Sequence, residues 1–230
     1  MSESISDRLA LVRGRVGAAA KRVGRSPDSV LVVAVSKTWP ADVCLEAIES
    51  GAGVLGENRA QEFRDKYSVL KDRAVWHFVG NLQTNKIRHV VGAAALIHSV
   101  DRYGLAEAID KRARSLGIVQ DVLVEVNISG EPSKNGIEPG RAGELVARIE
   151  RLAGVAVRGL MTMPPLTDDP EDSRPFFKDL VALRDSIAER YRGVVQLSMG
   201  MTRDFEVAIE EGATIVRIGE AIFGPRRSAP

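Results

Sequence analysis

The sequence predicts an α/β fold of the (β/α)8, TIM-type barrel class, and three observations lead there. Eight short β-branched runs alternate with amphipathic segments, and the pattern does not break anywhere along the 230 residues. Several of the amphipathic segments end in a glycine just before the next run begins. Polar residues and glycines also gather at the end of nearly every run, on the rim where the side chains of such a barrel are free of packing duty. Strict alternation at this count and length points to a closed barrel rather than an open doubly wound sheet.

Residues 3–24 read as a first helix. Ile5, Leu9, Val12, Val16 and Val23 form one stripe, and Ser4 and Asp7 have capping-box spacing. The expected strands are Val30–Ser36, Gly53–Gly56, Val75–Val79, Ala95–Ser99, Val122–Ile128, Val155–Met161, Val195–Met199 and Thr214–Ile218. Helical spacing runs through Ala41–Ser50, Asn58–Lys71, Thr84–Val91, Arg102–Leu116, Glu138–Leu152, Ser173–Tyr191 and Arg203–Glu211. The pairs Ser50-Gly51, Leu116-Gly117, Ala153-Gly154, Arg192-Gly193 and Glu211-Gly212 suit helix C-termini that feed strands. Only a short tail follows the eighth run, so the last strand lacks a full helix and the first helix is expected to pack near that gap. The chain, 1–230, is expected to form one domain, with the barrel over residues 30–224.

Composition narrows the function. With 32 basic against 31 acidic side chains there is no basic excess for a phosphate backbone, so no nucleic-acid partner is expected. Cys44, the single cysteine, cannot form an internal disulfide, and the start MSESISDRLALVRGRV is too charged for a secretory signal. The longest apolar run, Val90–Ile97, contains a glycine and is too short to cross a bilayer. A cytoplasmic protein without a membrane span is the expectation.

The run ends carry the chemistry. Lys37 shares strand parity with Leu31, Val33 and Val35; if those fill the barrel, it projects over them into a partly desolvated mouth. Burial there disfavours the ammonium and raises the fraction of free amine that Schiff-base formation with an aldehyde requires. A solvated lysine closing a strand is the other reading. Ser198 to Thr202 offers two hydroxyls and a flexible backbone, and Gly219-Glu220-Ala221 begins a helical turn whose amides would face an anion. Gly200 and Gly219 could equally serve only tight turns. Arg217 shares a strand face with Ile215 and Gly219. Its guanidinium donates but never accepts, so it would bond an unprotonated ring nitrogen and weaken a pyridine as an electron sink, or pair with a phosphate or with Glu125.

Other groups read as structural. His77, His89 and His98 lack metal-site spacing, and Cys44 has no activating neighbour. Met161, Met163, Met199 and Met201 suit either a wall for a flat ligand or core filling, and Asp168 to Asp172 reads as a solvated acidic loop.

A set of segments in order carries a resemblance: Ala34-Val-Ser-Lys37, Gly56-Glu-Asn58, Trp76-His-Phe-Val-Gly80 with Leu82-Gln-Thr-Asn-Lys86, and His98-Ser-Val-Asp101. Val126-Asn-Ile-Ser129 with Ser133-Lys-Asn-Gly136, Gly159-Leu-Met161, Leu197-Ser-Met-Gly-Met-Thr202, Val216-Arg-Ile-Gly219 and Ala221-Ile-Phe-Gly224 complete it. Along nearly its whole length the chain resembles the pyridoxal-phosphate homeostasis protein family, single-domain relatives of the alanine racemase N-terminal barrel. The resemblance implies that Lys37 forms the internal aldimine with pyridoxal 5′-phosphate (PLP) and that Arg217 faces the pyridine nitrogen. It further implies that Ser198, Thr202 and the Gly219-Glu220 backbone, with Met199 beside them, hold the phosphate, and that Asn58 lies near the ring.

Two positions depart from the family pattern. Asn81 replaces a histidine in the third-strand motif, and Thr202 replaces a common serine. The related racemases place a tyrosine four residues beyond the lysine, where this chain has Ala41, and take a second base from a further domain, whereas here the chain ends six residues after Gly224. Two-sided proton transfer would lack its second base. The resemblance therefore implies a non-catalytic, cytoplasmic PLP-binding protein, a monomer whose partners are PLP, free amino acids and apo-enzymes. A PLP-dependent racemase or related enzyme is the alternative, and a sugar-phosphate Schiff-base aldolase the more distant one.

Overall fold

The computed structural model describes residues 3–132 and 134–225. Its strands are β1 (Leu31–Val35), β2 (Val54–Glu57), β3 (Val75–Phe78), β4 (Leu96–Val100), β5 (Gln120–Glu125), β6 (Val155–Met161), β7 (Gln196–Ser198) and β8 (Ile215–Ile218). All pair in parallel, in sequence order, and β8 returns to β1 to close the barrel, with Val33 opposite Arg217 and Ala34 opposite Ile218. Crossover helices make parallel pairing possible, because a parallel strand cannot be reached by a tight turn.

The helices are α1 (Ile5–Arg22), α2 (Ala41–Glu49), α3 (Ala60–Leu70), α4 (Tyr103–Ser115), α5 (Pro139–Ile149), α6 (Arg174–Ala188), α7 (Phe205–Glu210) and α8 (Glu220–Phe223). Ser4 and Asp7 form the expected capping box on α1. Three differences from the sequence reading have local causes. Thr84–His89 is a 3-10 run rather than an α-helix, closed by the N–H groups of Val90 and Val91 both donating to Ile87 O. Helix α3 starts at Ala60 because Arg59 is extended, which leaves Asn58 on the rim. Strand β5 stops at Glu125, beyond which Val126 bridges to Ile137.

Apolar packing divides into two clusters. The larger lies between the strands and the helices and holds Phe63, Trp76, Phe78, Ile109, Phe177 and Phe205. The smaller fills the barrel: Val33, Val35, Val54, Val79, Leu96, Leu123, Met161 and Ile215. Leu31, expected to join that filling, is 39 % exposed, because it lies at the lower mouth, where the chain enters the barrel.

Helix α1 covers the gap left by the short α8. It packs against α7 and α8, and Arg8 Nε donates to the carbonyl of Ile222 at 2.7 Å. Arg15 and Arg22 pair with Glu206 at 2.6 and 2.9 Å, and Arg22 also pairs with Glu210 at 2.7 Å. These exposed pairs are screened by solvent and contribute little, so the apolar stripe does most to hold α1 in place. Among the described residues, no helix is long and apolar enough to cross a membrane.

Candidate functional site

Lys37 is half-buried at the C-terminal end of β1, in line with the inward-facing Val33 and Val35. It opens a turn closed by Trp39 N–H donating to Ser36 O at 3.1 Å, and the next residue, Thr38, has φ 70°. A β-branched residue in the left-handed region is costly, so other contacts must hold it. One is Glu62, whose carboxylate accepts the Thr38 N–H at 2.8 Å.

A buried polar cluster braces the turn from the outer side of the wall. Ser36 Oγ donates to Glu57 Oε1 at 2.6 Å, and Lys66 Nζ donates to Ser36 O at 2.8 Å and to the same Glu57 oxygen. Burial pushes the Glu57 carboxyl up, against the pull of the Lys66 ammonium. Breaking such a buried pair from one side costs about 3–5 kcal/mol. The sequence reading missed this cluster. Its signal was Lys66 itself, on the buried 63–66–70 stripe of α3, where an unpaired lysine would not be tolerated.

Arg217 points into the barrel from β8 and is 5 % exposed. Its Nη1 donates to Ser198 Oγ at 2.6 Å and its Nη2 to Thr162 O at 2.9 Å, rather than to the carboxylate of Glu125. Burial lowers its pKa to about 10, with Glu125 and Asp204 pulling the other way. Glu125, at the end of β5, is raised to about 7 by burial and then by Asp101, with Arg217 opposing.

The candidate anion seat lies at the ends of β7 and β8. Ile222 and Phe223 both send their N–H to Gly219 O, so the amides of Glu220 and Ala221 open the turn of α8 without helical partners. A Cβ at Gly219 would come 3.3 Å from Val35 O, so the glycine lets this turn lie close against the end of β1. Thr202 is half-buried in a turn in which Met201 N–H donates to Asp204 Oδ1 at 2.7 Å. Gly200 has φ 89°, and a Cβ there would meet Ala208 Cβ at 2.6 Å.

Lys37, Gly219 and Glu220 thus share one corner of the rim, where β1 and β8 are neighbours. Arg217 lies one inward step below Gly219. Asn58 stands on the adjoining end of β2, with its Oδ1 buried and without a hydrogen-bond partner among the described residues. A Cβ at Gly80 would fall 2.1 Å from Asn58 O, so only a glycine lets the segment after β3 lie against Asn58. Ser198 lies deeper than the rim, fully buried, its hydroxyl engaged by Arg217 and by His98 Nδ1 at 2.8 Å. The Met199 side chain is buried in the outer cluster and the Glu220 side chain faces solvent, so both can offer the site their backbone only.

Of the methionines, Met161 fills the barrel and Met163 is exposed. Asn81 is exposed and its Nδ2 donates to Asn135 Oδ1 at 3.0 Å, tying together the loops after β3 and β5. Ser133, in the same loop, lies outside the described residues. Cys44 is buried, and burial pushes its thiol up. No group of three or more metal-ligating side chains occurs among the described residues. A cavity of about 680 Å³ lies at the opposite, lower mouth, lined by residues that include His77, Leu96, Asp121, Arg158, Gln196 and Ile215, away from Lys37 and the amide turn.

Known proteins match this chain along nearly its whole length. Residues 15–227 match the family described as alanine racemase, N-terminal domain. The pyridoxal phosphate homeostasis protein of Aquifex aeolicus is 50 % identical over 96 % of this chain and 98 % of its own length. The chain belongs to the pyridoxal phosphate homeostasis protein family. The Escherichia coli K12 family member is 39 % identical over 96 % of this chain and 97 % of its own. The structure of PipY from Synechococcus elongatus with PLP bound aligns with a TM-score of 0.84 at 32 % identity, over 96 % of this chain and 100 % of that one. A Corynebacterium glutamicum alanine racemase, at 14 % identity and TM-score 0.67, shares the fold of the family.

Proposed function

We propose that this chain binds PLP reversibly and serves intracellular PLP homeostasis as a carrier, without turnover of its own. The observation that carries the reading is the corner between β1 and β8. There a lysine and an amide turn flank the mouth above an arginine fixed inside the wall. The donor set fits the group: an amine for the aldehyde, two amides and Thr202 for the phosphate, and a permanent donor for the ring nitrogen. The unpartnered Oδ1 of Asn58 offers an acceptor beside it.

Lys37 is the residue that would hold PLP through its aldehyde, the amine nitrogen taking the place of the carbonyl oxygen, which would leave as water. PLP bound in this way supplies an electron sink. Arg217, which donates and does not give up a proton at neutral pH, would leave the ring nitrogen unprotonated and that sink weak. The same corner is open to solvent through the half-buried Lys37 and exposed Glu220, so incoming free amino acids or the lysine of an apo-enzyme can exchange with Lys37. Ala41 stands where the related racemases carry a tyrosine four residues beyond the lysine, a departure that favours binding over racemisation. A cytoplasmic monomer completes the reading.

Purified protein should be yellow, and borohydride should fix PLP to Lys37. Lys37→Ala should abolish that label, whereas a label on another lysine overturns the assignment. Solvent deuterium entering the α-carbon of amino acids well above the rate with free PLP would overturn the carrier reading in favour of a racemase.

A further inference from the structure

A line of buried polar groups crosses the barrel from wall to wall. Arg217 Nη1 donates to Ser198 Oγ at 2.6 Å, Ser198 Oγ lies 2.8 Å from His98 Nδ1, and His98 Nε2 lies 3.0 Å from His77 Nδ1. His98 and Ser198 are fully buried, and His77 reaches the lower cavity. Aliphatic side chains would fill this space at lower cost, since every buried polar group must be matched by a partner.

Only one arrangement of hydrogens satisfies the upper part of the line. Arginine cannot accept, so Ser198 Oγ takes a hydrogen from it. If His98 Nδ1 also donated to Ser198, the hydroxyl hydrogen would be left in the barrel with no acceptor among the partners shown. The hydroxyl therefore donates to His98 Nδ1, and His98 carries its hydrogen on Nε2 and donates to His77 Nδ1. Burial agrees, holding His98 well below the usual histidine range and His77 at about 4, so that both rings are neutral.

We propose that His98 is a positioning residue for Arg217: by accepting the Ser198 hydroxyl hydrogen it locks the guanidinium and decides which arginine N–H groups remain to face the upper mouth. The positioning stands on the geometry of the protein's own side chains. Its consequence for the ring nitrogen rests on the placement of PLP above Arg217.

The test separates the two. In ligand-free protein, the Arg217 guanidinium N–H signals in 15N NMR should exchange slowly. His98→Leu and the milder Ser198→Ala should speed that exchange about tenfold or more, the size expected for one lost buried hydrogen bond. His98→Asn should restore slow exchange, because its Oδ1 falls near the place of Nδ1. Unchanged exchange in both disrupting variants overturns the positioning, as does His98→Asn behaving like His98→Leu.

In protein loaded with PLP 15N-labelled in the ring, His98→Leu and Ser198→Ala should move the ring-nitrogen shift in the same direction as Arg217→Gln, with His98→Asn near wild type. If Arg217→Gln leaves that shift unmoved, the placement of the pyridine fails while the exchange data still decide the role of His98. If Arg217→Gln moves it and both His98→Leu and Ser198→Ala do not, the consequence drawn for the ring fails.

Discussion

The two sides of the barrel wall are built from different material. Outside, between strands and helices, the buried residues are mostly aliphatic and aromatic, with Phe63 edge-on to Trp76 and Phe78 at centroid distances of 5.7 and 6.1 Å. Inside, seven aliphatic residues and Met161 share the space with His77, His98, Ser198, Glu125 and Arg217. The outer packing supplies the apolar burial that drives folding, and so the interior can hold polar groups that cost free energy and serve the mouth above them.

The largest effect should come from uncovering the outer side. Removing residues 1–24 strips off Ile5, Leu9, Val12 and Val16, all buried. At about 1.5–3 kcal/mol for each large aliphatic side chain, the loss is about 6–12 kcal/mol. Whole domains are stable by about 5–15 kcal/mol, so the truncated chain should aggregate on size-exclusion chromatography. A soluble truncation with a cooperative melt would mean that the strands and the remaining helices enclose the outer core unaided.

A smaller cut on the same side should be survivable. Phe63→Ala should lower stability by about 3–5 kcal/mol in urea unfolding. Borohydride labelling at Lys37 should persist, since Phe63 packs on the outer side of the wall. Loss of labelling in a folded Phe63→Ala protein would show that the two sides are not separable.

This division also explains what could be read from the sequence. Periodicity reports packing, so the eight strands, their order and the stripe of α1 from Ile5 to Val16 were legible, whereas Val23, expected on that stripe, lies at the C-cap and is exposed. The rim was legible too, because Lys37, Asn58 and Gly219-Glu220 sit where runs end. Contacts between side chains far apart in the chain were not. Nothing local indicates that Ser198 is held between Arg217 and His98, or that Glu57 and Lys66 brace the turn at Lys37 from behind. Parity placed Arg217 inside, but its choice of Ser198 and Thr162 over Glu125 depends on how three strands align across the barrel.

The subtlest expected difference is in pH dependence. Burial raises the Glu125 carboxyl from 4.5 to about 7, so across that interval the folded state binds more protons than the unfolded one. Its contribution to stability therefore falls as pH rises from about 4.5 to about 7. His77, lowered from 6.5 to about 4, acts in the opposite direction, adding stability as pH rises through its window, and the two partly cancel in the wild type. Glu125→Gln removes only the first. Urea midpoints should then show the variant about 1–3 kcal/mol more stable than wild type near pH 8, with no such gain near pH 5. An equal gain at both pH values would mean that the amide simply packs better, and that Glu125 is not the interior group that titrates.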